Sequence, residues 1–365
     1  MNSVKILHLA DIHIGAAQSF LGAGANMRRY ETLMTFERII DAAQEQNVQV
    51  IAAAGDIFDS NNVPEELIAP VFAKIAAVPD IKVVLAAGNH DPLTAESPFK
   101  TRKLPQNLYV LGTADDCITF EDIKLRVYGR SFESVYMAGE ERFSLTPPDD
   151  DYINLMVLHG DMRGDMGSAY NSVTPRFIES SGMDYIALGH IHKRTEIQRL
   201  GKTFFAYSGC PEGMGFDELG EKGVYIGSVG DGACTLEFHP LHGRKYEILS
   251  VPAGEDPLAS VTAALPQQTQ DDIYRILLTG EAEPVPLQAL YRALEERFFS
   301  LTLRDETTPK VDLWAAAGED TLRGIFLREL RQQFDAAQTP EEKQCIADAA
   351  RLGLAAMDGR EAPEL

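Results

Sequence analysis

Five short apolar runs in this chain stop in the same kinds of residue. Ile6-Leu-His-Leu-Ala10 runs into Asp11-Ile-His13, and Val50–Ala54 into Gly55-Asp56. Val83–Ala87 meets Gly88-Asn-His-Asp91, Leu155–Leu158 meets His159-Gly-Asp161, and Tyr185–Leu188 meets Gly189-His-Ile-His192. A short apolar run bounded by glycine reads as a buried strand followed by a sharp turn. Asp, Asn and His at the mouths of buried strands are costly unless they are paired or a cation neutralises them. The chain is thus restricted to folds in which several strands end near one place, and Asp56 is the expected centre.

The order of the elements narrows this further. Leu33, Phe36, Ile40 and Ala43 recur at helical spacing between the first two strands, and Leu67, Ile68, Val71, Phe72 and Ile75 between the second and third. Strand–helix–strand–helix–strand argues for an α/β fold with parallel pairing. From about residue 107 to 240 strands come faster and helices are rarer, which predicts a second sheet packed on the first. The pattern changes near Lys245. We expect residues 1–244 to form the catalytic domain, 245–308 a smaller α/β unit, and 309–365 a C-terminal helical segment. In that segment Leu322, Ile325, Phe326, Leu330 and Phe334 share a helix face, and Thr339-Pro-Glu-Glu342 reads as a capping box opening a second helix.

Composition sets limits on partners and compartment. The chain has 365 residues and a formal charge of −22, which opposes autonomous binding to nucleic acid. Cys117, Cys210, Cys234 and Cys345 show no CxxC spacing and read as reduced thiols of a cytoplasmic protein. Neither a membrane span nor a signal peptide is visible, so no membrane association is expected.

The candidate ligands are Asp11, His13, Asp56, Asn89, His159, His190 and His192. Asp11 and His13 are two residues apart, as are His190 and His192. If the backbone is extended there, each pair points to one side. Seven ligands are too many for one ion and fit two. Carboxylate with imidazole suits Mn²⁺, Fe²⁺ or Zn²⁺. A bridging carboxylate such as Asp56 would hold two divalent ions, and the pair would activate a water between them and clamp a phosphoryl oxygen. His8, His239 and His242 read as ordinary satisfied polar residues.

Asp11-x-His13, Gly55-Asp56-x-x-Asp59, Gly88-Asn-His-Asp91, His159-Gly160 and Gly189-His-x-His192 together resemble the motif series of the calcineurin-like metallophosphoesterases, in the same order and spacing over about residues 1–240. The resemblance implies a two-sheet sandwich flanked by helices with a dimetal site at the strand ends. It implies one ion on Asp11, His13, Asp56 and His192, and the other on Asp56, Asn89, His159 and His190. His90 would be catalytic at the leaving oxygen, with Asp91 orienting it. Within the superfamily the chain most resembles SbcD/YhaO-type DNA repair exonucleases, whose capping domain corresponds to the stretch after about 245. Asp59 stands where other branches carry His, so its role is open.

The function this resemblance implies is dimetal-dependent hydrolysis of DNA phosphodiesters, as an exonuclease or endonuclease, through a metal-bridging hydroxide and preferably with Mn²⁺. A phosphatase or small-molecule phosphodiesterase on the same core is the alternative, and a metal-free protein-binding scaffold a third. Arg28, Arg29, Lys100, Arg102, Lys103, Arg163, Lys193 and Arg194 cluster beyond the ligand loops and are candidate DNA contacts. The C-terminal helices either pack on the chain itself or, as the resemblance suggests, dock the coiled-coil base of an SbcC-like ABC-type ATPase. A homodimer, with the helix at Pro64–Val78 as one route, is also expected.

Overall fold

A computed structural model describes residues 2–140, 143, 146–148, 151–162, 170–230, 232–309 and 312–359. The runs that stop at ligand-type residues are strands. β1 (Val4–Leu9), β2 (Val50–Ala53) and β3 (Lys82–Leu85) are buried almost throughout, as continuous apolar runs with helices on one side require. They pair in parallel, Ile6 with Val50 and Ile51 with Val83, and β4 (Leu108–Val110) extends them. Gly223–Gly230 pairs antiparallel on the other edge of β1.

The second sheet runs Gln198–Leu200, Thr203–Tyr207, Tyr185–Gly189, Ile153–His159, Leu125–Gly129 and Asp116–Phe120, its inner four strands parallel. Between the sheets lies one apolar layer, with Ile6, Val50, Ala52 and Val84 from the first and Leu125, Val127, Leu155, Val157 and Ala187 from the second. The outer face of the first sheet is covered by α1 (Ala25–Glu45) and α2 (Glu65–Ala76), which contribute Phe36, Ile40, Leu67, Val71 and Ile75. The outer face of the second carries Ile178 of the helix Pro175–Ser180. This is the expected α/β sandwich of two sheets with flanking helices. β4 and Asp116–Phe120 escape the sequence pattern. The first is only three residues long, and the second is a half-exposed edge strand.

His8 of β1 lies inside the intersheet layer, fully buried against the Tyr185 hydroxyl (Nδ1, 2.8 Å) and the Leu188 carbonyl (Nε2, 3.2 Å). Burial pushes its imidazole down to about 3, below the roughly 6.5 of an unfolded chain. The unfolded state therefore binds the extra proton. The stabilisation is complete above pH ~6.5 and is lost as pH falls towards about 3. His8→Gln should flatten the acid side of the stability curve by about 1.4 kcal/mol per pH unit between pH 6 and 4. Urea titrations at three pH values measure that slope; an unchanged slope removes His8 from the acid response.

Contacts divide the chain into two units. The first is Met1–Leu249 with Pro266–Ile276 and Tyr291–Thr302; the second is Ser250–Leu265, Leu277–Leu290 and Leu303–Leu365. Within the second unit, Leu322–Ala336 and Pro340–Met357 form a helical hairpin. Its core is Leu327, Ala350 and Ala317, with Trp314, Phe326, Leu330 and Leu354 against them. Thr339 and Glu342 make the expected capping box. Leu322 and Ile325, on the face predicted to be buried, are 75% and 58% exposed. No helix among the described residues is long and apolar enough to cross a membrane.

Candidate metal centre

The strands end at or within four residues of the predicted ligands, with His159 closing its own strand, and at four of the ligands the backbone turns left-handed. Asp11, His13, Asp56 and His190 have φ of 55°, 52°, 52° and 97°. L-residues adopt this conformation at a cost of roughly 1–3 kcal/mol each, and such strain gathers at functional sites. Convergence therefore comes from turns and not from the strand alternation the sequence suggests. The turns are tied to one another: Asp11 N–H donates to Gly55 O (3.0 Å) and His13 N–H to Asp56 O (3.0 Å). Two glycines are required by close approach. A Cβ on Gly88 would lie 2.2 Å from Asp56 Oδ1, and one on Gly189 would lie 1.9 Å from Ala54 O.

Asp56 sits at the middle. Its Oδ2 lies 3.2 Å from His159 Nε2 and 3.8 Å from His13 Nε2, while Oδ1 accepts the His90 N–H at 2.8 Å. Asn89 Oδ1 lies 2.9 Å from His159 Nε2 and 3.2 Å from His190 Nδ1. Both oxygens of Asp11 accept the His190 N–H. His192 Nε2 is 3.1 Å from His13 Nε2. Overlapping groups of donor atoms are thus close enough to hold a cation, among them Asp11 with His13 and His192, and Asp11 with Asp56 and His159. Asp11, Asp56 and His159 are buried.

The electrostatics fit a cation. Burial alone would push the Asp56 carboxyl up, but His159, His13 and His90 around it hold it well below the usual carboxylate range. Burial likewise works against charge on His159, yet Asp56 and Asp11 push that imidazole up to about 9. Burial, aided by His159, takes His190 down to about 4. Two buried carboxylates are thus offset by imidazole protons that a divalent ion could replace, because metal ligation needs neutral imidazole. His159 Nδ1 donates to Ala54 O at 2.8 Å, fixing the ring so that Nε2 faces Asp56 and Asn89.

Two expectations need correction. Asp91 does not orient His90. Its carboxylate is fully buried and accepts the N–H groups of Asp56, Ile57, Phe58 and Gly88, so it braces the loop that carries Asp56. Burial, with Asp56 nearby, pushes it up to about 6. His90 is anchored instead by Asp59, whose carbonyl accepts His90 Nδ1–H at 3.0 Å. The Asp59 carboxylate lies 3.6 Å from His13 Nδ1.

Arg28 is not a DNA contact. Its guanidinium is fully buried, donating to Glu31, to Glu212 (2.7 Å), to Gly213 O (2.8 Å) and to Gln18. The apolar face of α1 carries it inward, where Glu212 supplies the counter-charge. Arg28→Ala would strand a buried carboxylate and should cost about 3–5 kcal/mol, read from chemical denaturation; a loss under about 1 kcal/mol would mean water replaces the pair.

Of the remaining basic candidates, Lys103, Lys193 and Arg194 are exposed, Arg29 is half-buried, and Lys100 Nζ donates to Leu93 O. Arg102 is paired with Glu65 and Arg194 with Glu196. Arg163 lies outside the described residues. No sequence pattern marks Glu218, which accepts His192 Nδ1–H, or Asn171, whose amide donates to His159 O at 2.9 Å. Glu218 reaches the site from a loop and Asn171 from the three-residue strand Tyr170–Ser172, both too short of pattern to be read.

Similarity to known proteins covers this site. The chain is 28% identical over 351 residues to YhaO, an uncharacterized metallophosphoesterase of Bacillus subtilis (strain 168), across 86% of this chain and 84% of that protein. It is 25% identical over 309 residues to the DNA double-strand break repair protein Mre11 of Sulfolobus acidocaldarius, across 78% and 76% of the two chains. Against Mre11 of Methanopyrus kandleri it is 24% identical over 239 residues, 61% of this chain and about half (52%) of that protein. Residues 4–194, a little over half of the chain, match the calcineurin-like phosphoesterase family. Because that match spans β1 to His192 and takes in every strand end gathered around Asp56, the chain belongs to the calcineurin-like phosphoesterases and is a phosphoester hydrolase.

Proposed function

We propose that the chain is a divalent-metal-dependent nuclease that hydrolyses DNA phosphodiesters at the Asp56 cluster. The observation that carries the reading is the convergence of Asp11, His13, Asp56, His159 and His192 in overlapping donor groups. In this reading Asp11, His13, Asp56 and His192 hold one ion, and Asp56, Asn89, His159 and His190 the other. Mn²⁺ is preferred, with Fe²⁺ or Zn²⁺ as alternatives suited to the same donors. The bound ions supply Lewis-acid polarisation of the phosphoryl group and a nucleophile at neutral pH. His90, held by Asp59 and with a side chain 44% exposed, serves the leaving oxygen as general acid.

DNA as substrate is supported by the likeness to proteins named for double-strand break repair, which runs well past the family domain. The exposed Leu322 and Ile325 of the C-terminal hairpin offer a docking face for an SbcC-like ATPase, tested by co-purification with and without residues beyond Pro309. The catalytic part would form a homodimer and work in the cytoplasm. A second reading, hydrolysis of a small phosphoester, is favoured by the net charge of −22 and by the carboxylate partners of Arg28, Arg102 and Arg194. Linear duplex DNA and a small chromogenic phosphodiester, each with Mn²⁺ and with chelator, separate the two. We expect chelator-sensitive cleavage of both, with the higher kcat/KM on DNA; turnover of the small ester with DNA untouched would overturn the nuclease reading.

A further inference from the structure

Glu218 lies beyond the matched family domain and touches the site through one histidine. Its Oε1 accepts His192 Nδ1–H. A carboxylate can only accept, so the contact fixes the proton on Nδ1 and leaves the lone pair of the neutral ring on Nε2. That nitrogen is the one that lies 3.1 Å from His13 Nε2, in the group with Asp11. Two imidazole nitrogens at this distance repel unless a proton or a cation lies between them.

Glu218 is held in place by more than the His192 ring. Its other oxygen accepts the Met214 N–H at 2.7 Å and the Cys210 thiol at 3.5 Å, and the side chain is 10% exposed. The loop that supplies these donors is itself fastened to the histidine, since Cys210 N–H donates to His192 O at 3.1 Å. Gly209 permits this approach: it sits at φ +71°, and a Cβ there would be 2.7 Å from His192 O. His159 takes a neutral carbonyl as its Nδ1 partner, whereas His192 takes a charged carboxylate. A carboxylate behind a ligating imidazole both fixes the ring and raises its basicity towards metal.

We propose that Glu218 is a positioning residue of the metal centre, which acts by orienting His192 and strengthening it as a ligand. The inference rests on the metal-dependent reading of the Asp56 cluster and is independent of whether DNA is the substrate. His192, Cys210 and Glu218 also lie close enough to hold an ion themselves, and the test separates that arrangement too.

The measurement is Mn²⁺ binding to the metal-free full-length chain by titration calorimetry, with Co²⁺ absorption as a second readout of ligand geometry. Glu218→Gln keeps an acceptor for Nδ1–H and loses the charge; Glu218→Ala loses both. We expect one of two ions to weaken by about 10–100-fold in Glu218→Ala and by less in Glu218→Gln, with a changed Co²⁺ spectrum in Glu218→Ala. If Glu218→Ala does not fold, Glu218→Gln carries the test. Wild-type affinity for both ions in the folded variants would overturn the proposal. So would a third bound equivalent lost on Cys210→Ser, which would make Glu218 a ligand and not a positioning residue. A wild-type chain that binds no Mn²⁺ would overturn the metal reading beneath it.

Discussion

Asp56→Asn should abolish phosphoester hydrolysis while leaving the fold intact. Asparagine has the shape of aspartate and tolerates the left-handed backbone found here, φ 52°. Its Oδ1 can still accept the His90 N–H that Asp56 accepts at 2.8 Å. What is lost is the charge beside His159 and His13, 3.2 and 3.8 Å away. Asp56 faces both rings and holds the His90 loop at once, so a cation loses its central anion. We expect kcat to fall by at least ~10³-fold, about 4 kcal/mol, and Mn²⁺ stoichiometry to drop below two. The metal-free variant has a second signature. After burial, Asp56 is the largest influence on His159, whose pKa of about 9 should therefore fall and can be followed by NMR. Full turnover with two bound Mn²⁺ ions would remove Asp56 from the centre of the site.

The strands and their ends were legible in the sequence because both are local. A continuous apolar run ending in Gly and Asp states burial and exit within ten residues, as Val50–Asp56 does. The two-sheet order followed from helix spacing in the first part of the chain and its absence in the second. Distant partners left no such trace. Arg28 reads as loop charge next to Arg29, and only folding brings Glu212 across a separation of 184 residues to pair with it. Asp91 reads as the neighbour of His90, yet its carboxylate turns back to four N–H groups. Asp59 reaches His90 through its carbonyl, which every residue possesses, so residue identity could not reveal it. The same holds for the left-handed turns at Asp11, His13, Asp56 and His190, none of them glycine. Their strain is sustained by the surrounding ties, which join turns far apart in the chain.

His90→Asn should separate chemistry from metal binding. The asparagine amide can reproduce Nδ1–H and its bond to Asp59 O, 3.0 Å long in the wild type. It cannot reproduce Nε2. The ring stands edge-on to His13 with centroids 4.6 Å apart, and 44% of its side chain is exposed, whereas Asp11, Asp56 and His159 are buried. A group that meets solvent and substrate suits proton delivery better than ligation, although His90 with His13 and Asp56 is close enough to hold an ion. The expected result is two Mn²⁺ ions still bound and a kcat on DNA lowered by ~10²–10⁴-fold, the usual reach of one acid–base group. KM should change little, because the lost interaction belongs to the transition state. An activated aryl phosphodiester leaves without needing a proton, so on it the same variant should lose far less. Loss of an ion would make His90 a ligand. An equal loss of rate on both leaving groups, with both ions retained, would take proton delivery away from His90 and leave it a role in placing the substrate.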